Sequence, residues 1–82
     1  MALVKQKRAI LAHNIRMIEK KLKELREEKG FTQKHVSDFL SVHRTTYMKW
    51  ENGLREPSNE MLVKIADFFD VSLDFLLGRK DY

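Results

Sequence analysis

Apolar residues recur along this chain at helical spacing, and strand-like alternation is nearly absent. Leu11, Ile15, Ile18, Leu22 and Leu25 advance in steps of four and three, the stripe of an amphipathic helix. Gly30 stops that helix, with Lys29 in its last turn beside the negative dipole end. Asn14 is a candidate cap for its start, and residues 3–12 form either a separate preceding turn or part of the same helix. Thr32 caps a short second helix that ends near Leu40. Ser41, Val42 and His43 connect it to a third helix over 44–51, which ends at Asn52-Gly53. LREP, residues 54–57, is a loop. Ser58 caps a fourth helix through Phe69, and Ser72 caps a last short helix, Leu73 to Leu77, closed by Gly78. Two short helices separated by three or four residues have the layout of a helix-turn-helix. Val36, Leu40, Val42, Tyr47 and Trp50 can form its inner seam, with Ser37 small where the two helices cross.

Composition narrows the picture. The chain has 82 residues, 43% of them hydrophobic, which allows one small domain that association with another copy would help. It has no cysteine, so neither a disulfide nor a thiolate metal site is available, as fits the cytosol. The amino-terminal stretch MALVKQKRAILAHNIRM is too basic and too short in apolar runs for a signal peptide or a membrane span. Charge is uneven. Residues 1–29 carry nine Lys and Arg against four Glu, whereas residues 57–82 carry three basic against five acidic residues. A basic front favours an anionic partner, nucleic acid ahead of membrane, although solvated helix surfaces also account for it.

The third helix has two faces. On a helical wheel Arg44, Thr45, Met48 and Lys49 fall within a sector of roughly 140°, with Thr46, Tyr47 and Trp50 opposite. The polar face lies at the helix amino end, where free N–H groups and the dipole favour phosphate. Arg and Lys suit guanine, and the Thr methyl suits thymine. Such a face matches reading of the DNA major groove; an ordinary exposed helix of a small bundle is the plain alternative.

The motifs LKELREEKGFTQKHVSDFL, SVHRTTYMKWENGLREPS and LVKIADFFDVSLDFLLG resemble the lambda-repressor/Cro-like helix-turn-helix domain, also called the XRE family. The likeness runs from about Leu22 to Gly78. It implies an all-α, compact five-helix domain over 22–78, with a basic helical extension over 1–21 and a tail over 79–82. The resemblance also implies roles. Arg44, Thr45 and Lys49 match base-reading positions and Met48 a flanking one. Gln33, Thr46, Asn52 and Arg55 match phosphate-contacting positions. Arg26 and Glu51 match a structural ion pair between the first helix and the end of the third. The implied function is a sequence-specific, DNA-binding transcriptional regulator of a bacterium or phage, a repressor, cytoplasmic and nucleoid-associated. It would bind a palindromic operator as a homodimer. The alternative is an antitoxin or adaptor that binds another protein.

Some positions depart from the family pattern. Ser41 stands where glycine is usual, so the turn is either strained or adjusted. His43 takes the place of the usual Ser, Thr or Asn cap, and its ring is within reach of a phosphate. Phe39, Phe68 and Phe75 are candidate dimer contacts, Phe39 and Phe75 being exposed on the family pattern. His13, His35 and His43 lack metal-ligand spacing, and no catalytic constellation is visible, so metal, cofactor and enzymatic activity are not expected.

Overall fold

The computed structural model describes residues 18–79, and among them it contains five helices and no strand. They are α1, described over 18–28, α2 Gln33–Phe39, α3 Arg44–Glu51, α4 Asn59–Phe69 and α5 Leu73–Leu76. Leu11, His13, Asn14, Ile15 and the question of one amino-terminal helix or two lie outside the described residues.

Three of the expected caps form. The hydroxyls of Thr32, Ser58 and Ser72 accept from the N–H groups of His35, Met61 and Phe75 at 3.0, 3.2 and 3.0 Å. Each satisfies one of the four donors that a helix start leaves open. α2 and α5 each stop one residue before the expected position, at Phe39 and Leu76, where Leu40 and Leu77 serve as carboxyl caps.

The stripe of α1 turns inward as expected for its described part. Ile18, Leu22 and Leu25 join Leu62, Ile65, Ala66 and Phe69 of α4 and Leu76 of α5 in one core. Fully burying an aliphatic side chain such as Leu22, Ile65 or Leu76 contributes about 1.5–3 kcal/mol. Val36 of α2, its cap residue Leu40, and Tyr47 and Trp50 of α3 complete the core. Their rings meet edge to face, 6.0 Å between centroids. Ser37 is 1% exposed and its hydroxyl donates to the Lys34 carbonyl at 3.0 Å. A small, internally satisfied residue lets α2 and α3 cross closely without an orphaned polar atom.

The turn between α2 and α3 keeps the left-handed conformation although glycine is missing. Ser41 has φ of 59°. Its N–H bonds Asp38 O at 3.1 Å, and that of Val42 bonds Ser37 O at 3.0 Å. These two bonds form a Schellman closure, and they hold the serine in a conformation its Cβ disfavours. The turn has therefore not been adjusted; Ser41 carries the strain.

Candidate nucleic-acid interface

α3 is fixed from behind. Tyr47 and Trp50 are buried in the core, and Glu51 is buried at the carboxyl end of the helix. The Arg26 guanidinium reaches across from α1, donating from Nε to Glu51 Oε2 at 2.7 Å and from Nη2 to Oε1 at 3.1 Å. Its Nη1 donates to the Phe31 carbonyl at 3.0 Å, which ties the α1–α2 turn to the same point. The pair that the resemblance implied is present, and it is nearly dry: the side chains are 14% and 2% exposed. Burial by itself pushes the Glu51 carboxyl upward. The hydrogen bond and charge of Arg26, with Tyr47 and Gln33, together outweigh that, so its pKa lies below the usual carboxylate range. The Arg26 pKa is raised chiefly by the same bond. Burial, then Glu51, raises the Tyr47 phenol, whose buried oxygen has no hydrogen-bond partner of good geometry. Its influence on the carboxylate is therefore that of a nearby dipole.

This anchoring leaves one side of α3 free. Arg44, Thr45 and Lys49 are exposed, as the wheel predicted, and Met48 and Thr46 are half-buried. Thr46 thus sits at the edge of the free face. His43 occupies the cap position but its side chain makes no capping bond. The first-turn N–H groups of α3 therefore have no side-chain acceptor and remain available to an anion. His43 itself is exposed beside them.

Next to this face runs a groove of about 710 Å³ where α1, α2 and α3 meet. Gln33, Arg44 and Asn52, named from the sequence, come together along it, as do Lys23, Thr32 and Lys34. The Arg26–Glu51 pair lines it as well. The Gln33 amide nitrogen donates to Glu51 Oε1 at 3.3 Å. Gln33 is thus held by the buried carboxylate, which orients its side chain at the groove. Arg55 lies elsewhere, exposed on the loop after α3, along a crevice shared with Ile18, Glu19 and Pro57. There Gly53 takes φ 71°, which favours glycine, and an added Cβ would require the Glu19 carboxylate to swing aside.

Sequence reasoning did not single out Lys23 and Lys34. A signal existed for each. Lys23 stands three residues before Arg26, on the same face of α1, and Lys34 directly follows Gln33. Lys34 is also paired with Asp38 at 2.7 Å in an exposed i,i+4 bridge, which a polyanion can displace. The three phenylalanines do not form one surface. Phe39 is exposed and stacks on the half-buried Phe68 at 4.3 Å. Phe75, expected to be exposed, is half-buried against the core, with the Lys21 ammonium 4.1 Å above its ring.

Among the described residues no group of His, Asp and Glu is arranged to hold a metal ion, and no helix is long and apolar enough to cross a membrane.

Comparison with known proteins supplies a family. Residues 22–76 match the family model described as Helix-turn-helix. The chain is 42% identical over 60 residues to the HTH-type transcriptional regulator AnsR of Bacillus subtilis, covering 73% of this chain and 52% of that protein. It is 41% identical over 61 residues to the HTH-type transcriptional activator BcrR of Enterococcus faecalis, covering 74% and 30%. It is 39% identical over 62 residues to the cryptic phage CTXphi transcriptional repressor RstR of Vibrio cholerae, covering 76% and 55%. The chain thus spans about half the length of AnsR and RstR and less of BcrR.

Proposed function

The chain belongs to the helix-turn-helix family, and on that premise we propose that it is a sequence-specific regulator of transcription that binds double-stranded DNA by placing α3 in the major groove. One observation carries the reading. α3 buries Tyr47, Trp50 and Glu51 and leaves Arg44, Thr45 and Lys49 exposed together. That division fixes the helix rigidly and frees the side chains suited to base edges.

Arg44, Thr45, Met48 and Lys49 read bases. Arg44 and Lys49 suit guanine, and the Thr45 and Met48 side chains suit thymine methyls. Gln33, His43, Thr46, Asn52 and Arg55 hold phosphates, with Lys23 and Lys34 adding charge along the groove. These contacts set affinity and its salt dependence, while the base contacts set specificity. The regulator acts as a homodimer on a palindromic operator, with half-sites about 34–36 Å apart, in the cytoplasm at the nucleoid. Its mode is repression by occupancy, as the name of RstR indicates for that protein; BcrR is named an activator, so the same kind of domain serves both. The relatives' names favour a regulator over an antitoxin or adaptor.

Selection from a random duplex pool at moderate salt tests the reading. A palindromic motif containing guanines is the expected result. Enrichment of no motif refutes it.

A further inference from the structure

Three exposed cations line the groove beside α3: Lys23 of α1, Lys34 of α2 and Arg44 of α3. Of these, only Lys34 forms an ion pair among the described residues. Its ammonium lies 2.7 Å from Asp38 Oδ2, about one turn further along α2. The two side chains are 74% and 63% exposed, so the bridge is wet and weak. Helix stability does not explain the pair. Lys34 stands in the first turn of α2, at the positive end of the dipole, and Asp38 in the last turn, at the negative end. Each charge sits at the end that disfavours it. Lys ahead of Asp is also the weaker order for an i,i+4 pair. An anion in the groove does reward a cation at this position, where Lys23 and Arg44 add their charge.

We infer that Lys34 contacts the DNA backbone and that Asp38 is its built-in competitor. In the free protein Asp38 holds the Lys34 ammonium, and a phosphate takes the place of Asp38 when a duplex docks. The inference rests on the reading of this groove as the DNA-backbone surface and names a residue that regulates its affinity. The exchange needs only side-chain rotation, because Lys34 has a flexible four-carbon stem. Asp38 is exposed and returns to water. A weak pair is traded for a charge-assisted bond to phosphate, and a condensed counterion is released from the duplex. Asp38 therefore lowers affinity for every duplex, and it acts through Lys34.

Titrations of the full chain on a random-sequence duplex and on a duplex carrying the selected motif, from about 50 to 200 mM salt, test it. Asp38→Asn should tighten binding to both about two- to fivefold. Lys34→Gln should weaken binding to both by at least as much and reduce the salt slope by about 0.9. In the Lys34→Gln background, Asp38→Asn should lose its effect. Circular dichroism melting checks that each variant is folded. Equal tightening by Asp38→Asn with and without Lys34 would show plain repulsion between the acid and DNA, and overturns the proposal. Weaker binding by Asp38→Asn, which would make the acid a support, overturns it too. So does a Lys34→Gln variant with the affinity and slope of the wild type. Arg44→Ala keeps the functional reading separate. If it loses sequence preference while the Lys34 and Asp38 variants behave as the wild type, that reading stands and this inference falls. If no motif is selected but the random duplex responds as stated, the sequence-specific reading falls and this inference stands. A chain that binds neither duplex overturns both.

Discussion

Replacing Glu51 by glutamine keeps the side chain's shape and removes its charge. In the wild type that carboxylate accepts from Arg26 at 2.7 and 3.1 Å and from Gln33 at 3.3 Å, with its side chain 2% exposed. The amide can accept fewer of these bonds, and it leaves a guanidinium only 14% exposed without a counter-charge. Breaking one side of a buried pair costs about 3–5 kcal/mol. At about 4–8 °C per kcal/mol for a domain of this size, melting should fall by about 12–40 °C. DNA binding should weaken too, because Gln33 and the end of α3 lose their common anchor. The control is Arg26→Met with Glu51→Leu, which removes both charges and fills the space with apolar groups. Such replacements of a whole pair are close to neutral or stabilising, so the double variant should melt well above Glu51→Gln. Urea and thermal unfolding followed by circular dichroism measure both. A cost under about 1 kcal/mol for Glu51→Gln, the range of a surface pair, would show that the pair is not a buried anchor. A double variant as unstable as the single one would show the same.

Acid should unfold the domain in a manner that depends on this carboxyl. Its folded pKa is depressed, so its contribution is complete above the unfolded value, about 4.3, and is lost as pH falls through the lower folded value. Stability against pH should thus rise through this acid range in the wild type and rise less in the Arg26→Met, Glu51→Leu variant; equal slopes would contradict the assignment. Ser41→Gly should stabilise by about 0.5–1 kcal/mol, since it relieves a left-handed serine at φ 59° but adds freedom to the unfolded chain; a lower melting temperature would show that the serine is not strained. Arg44→Ala and Lys49→Ala should each cost about 1–3 kcal/mol of specific binding and relax preference at one operator position. Gln33→Ala should weaken binding to all sequences alike, and titrations on specific and scrambled duplexes separate the two patterns.

Much of the fold was legible because its signals are local. Thr32, Ser58 and Ser72 cap helices within three residues of themselves, and Gly30, Gly53 and Gly78 end them through positive φ. The division of α3 followed from its 3.6-residue period, which alone separates Trp50 from Lys49. Ser41 was less legible. Its side chain disfavours the turn that its neighbours impose, and only the closing bonds from Ser41 and Val42 decide between strain and rearrangement.

The sequence by itself determined the helices, their ends and the outward set Arg44, Thr45 and Lys49, since each depends on contacts at most four residues away. The tertiary structure decided which distant groups share a surface. It brought Lys23 of α1 and Lys34 of α2 to the groove of Arg44, and it turned the Gln33 amide onto Glu51. It also separated Phe75 from Phe39 and Phe68, covering the first beneath Lys21 and leaving the other two as one patch. Periodicity assigns a residue to a face of its own helix. What that face meets depends on the angle and depth at which helices cross, and these are set by packing among residues far apart in the chain.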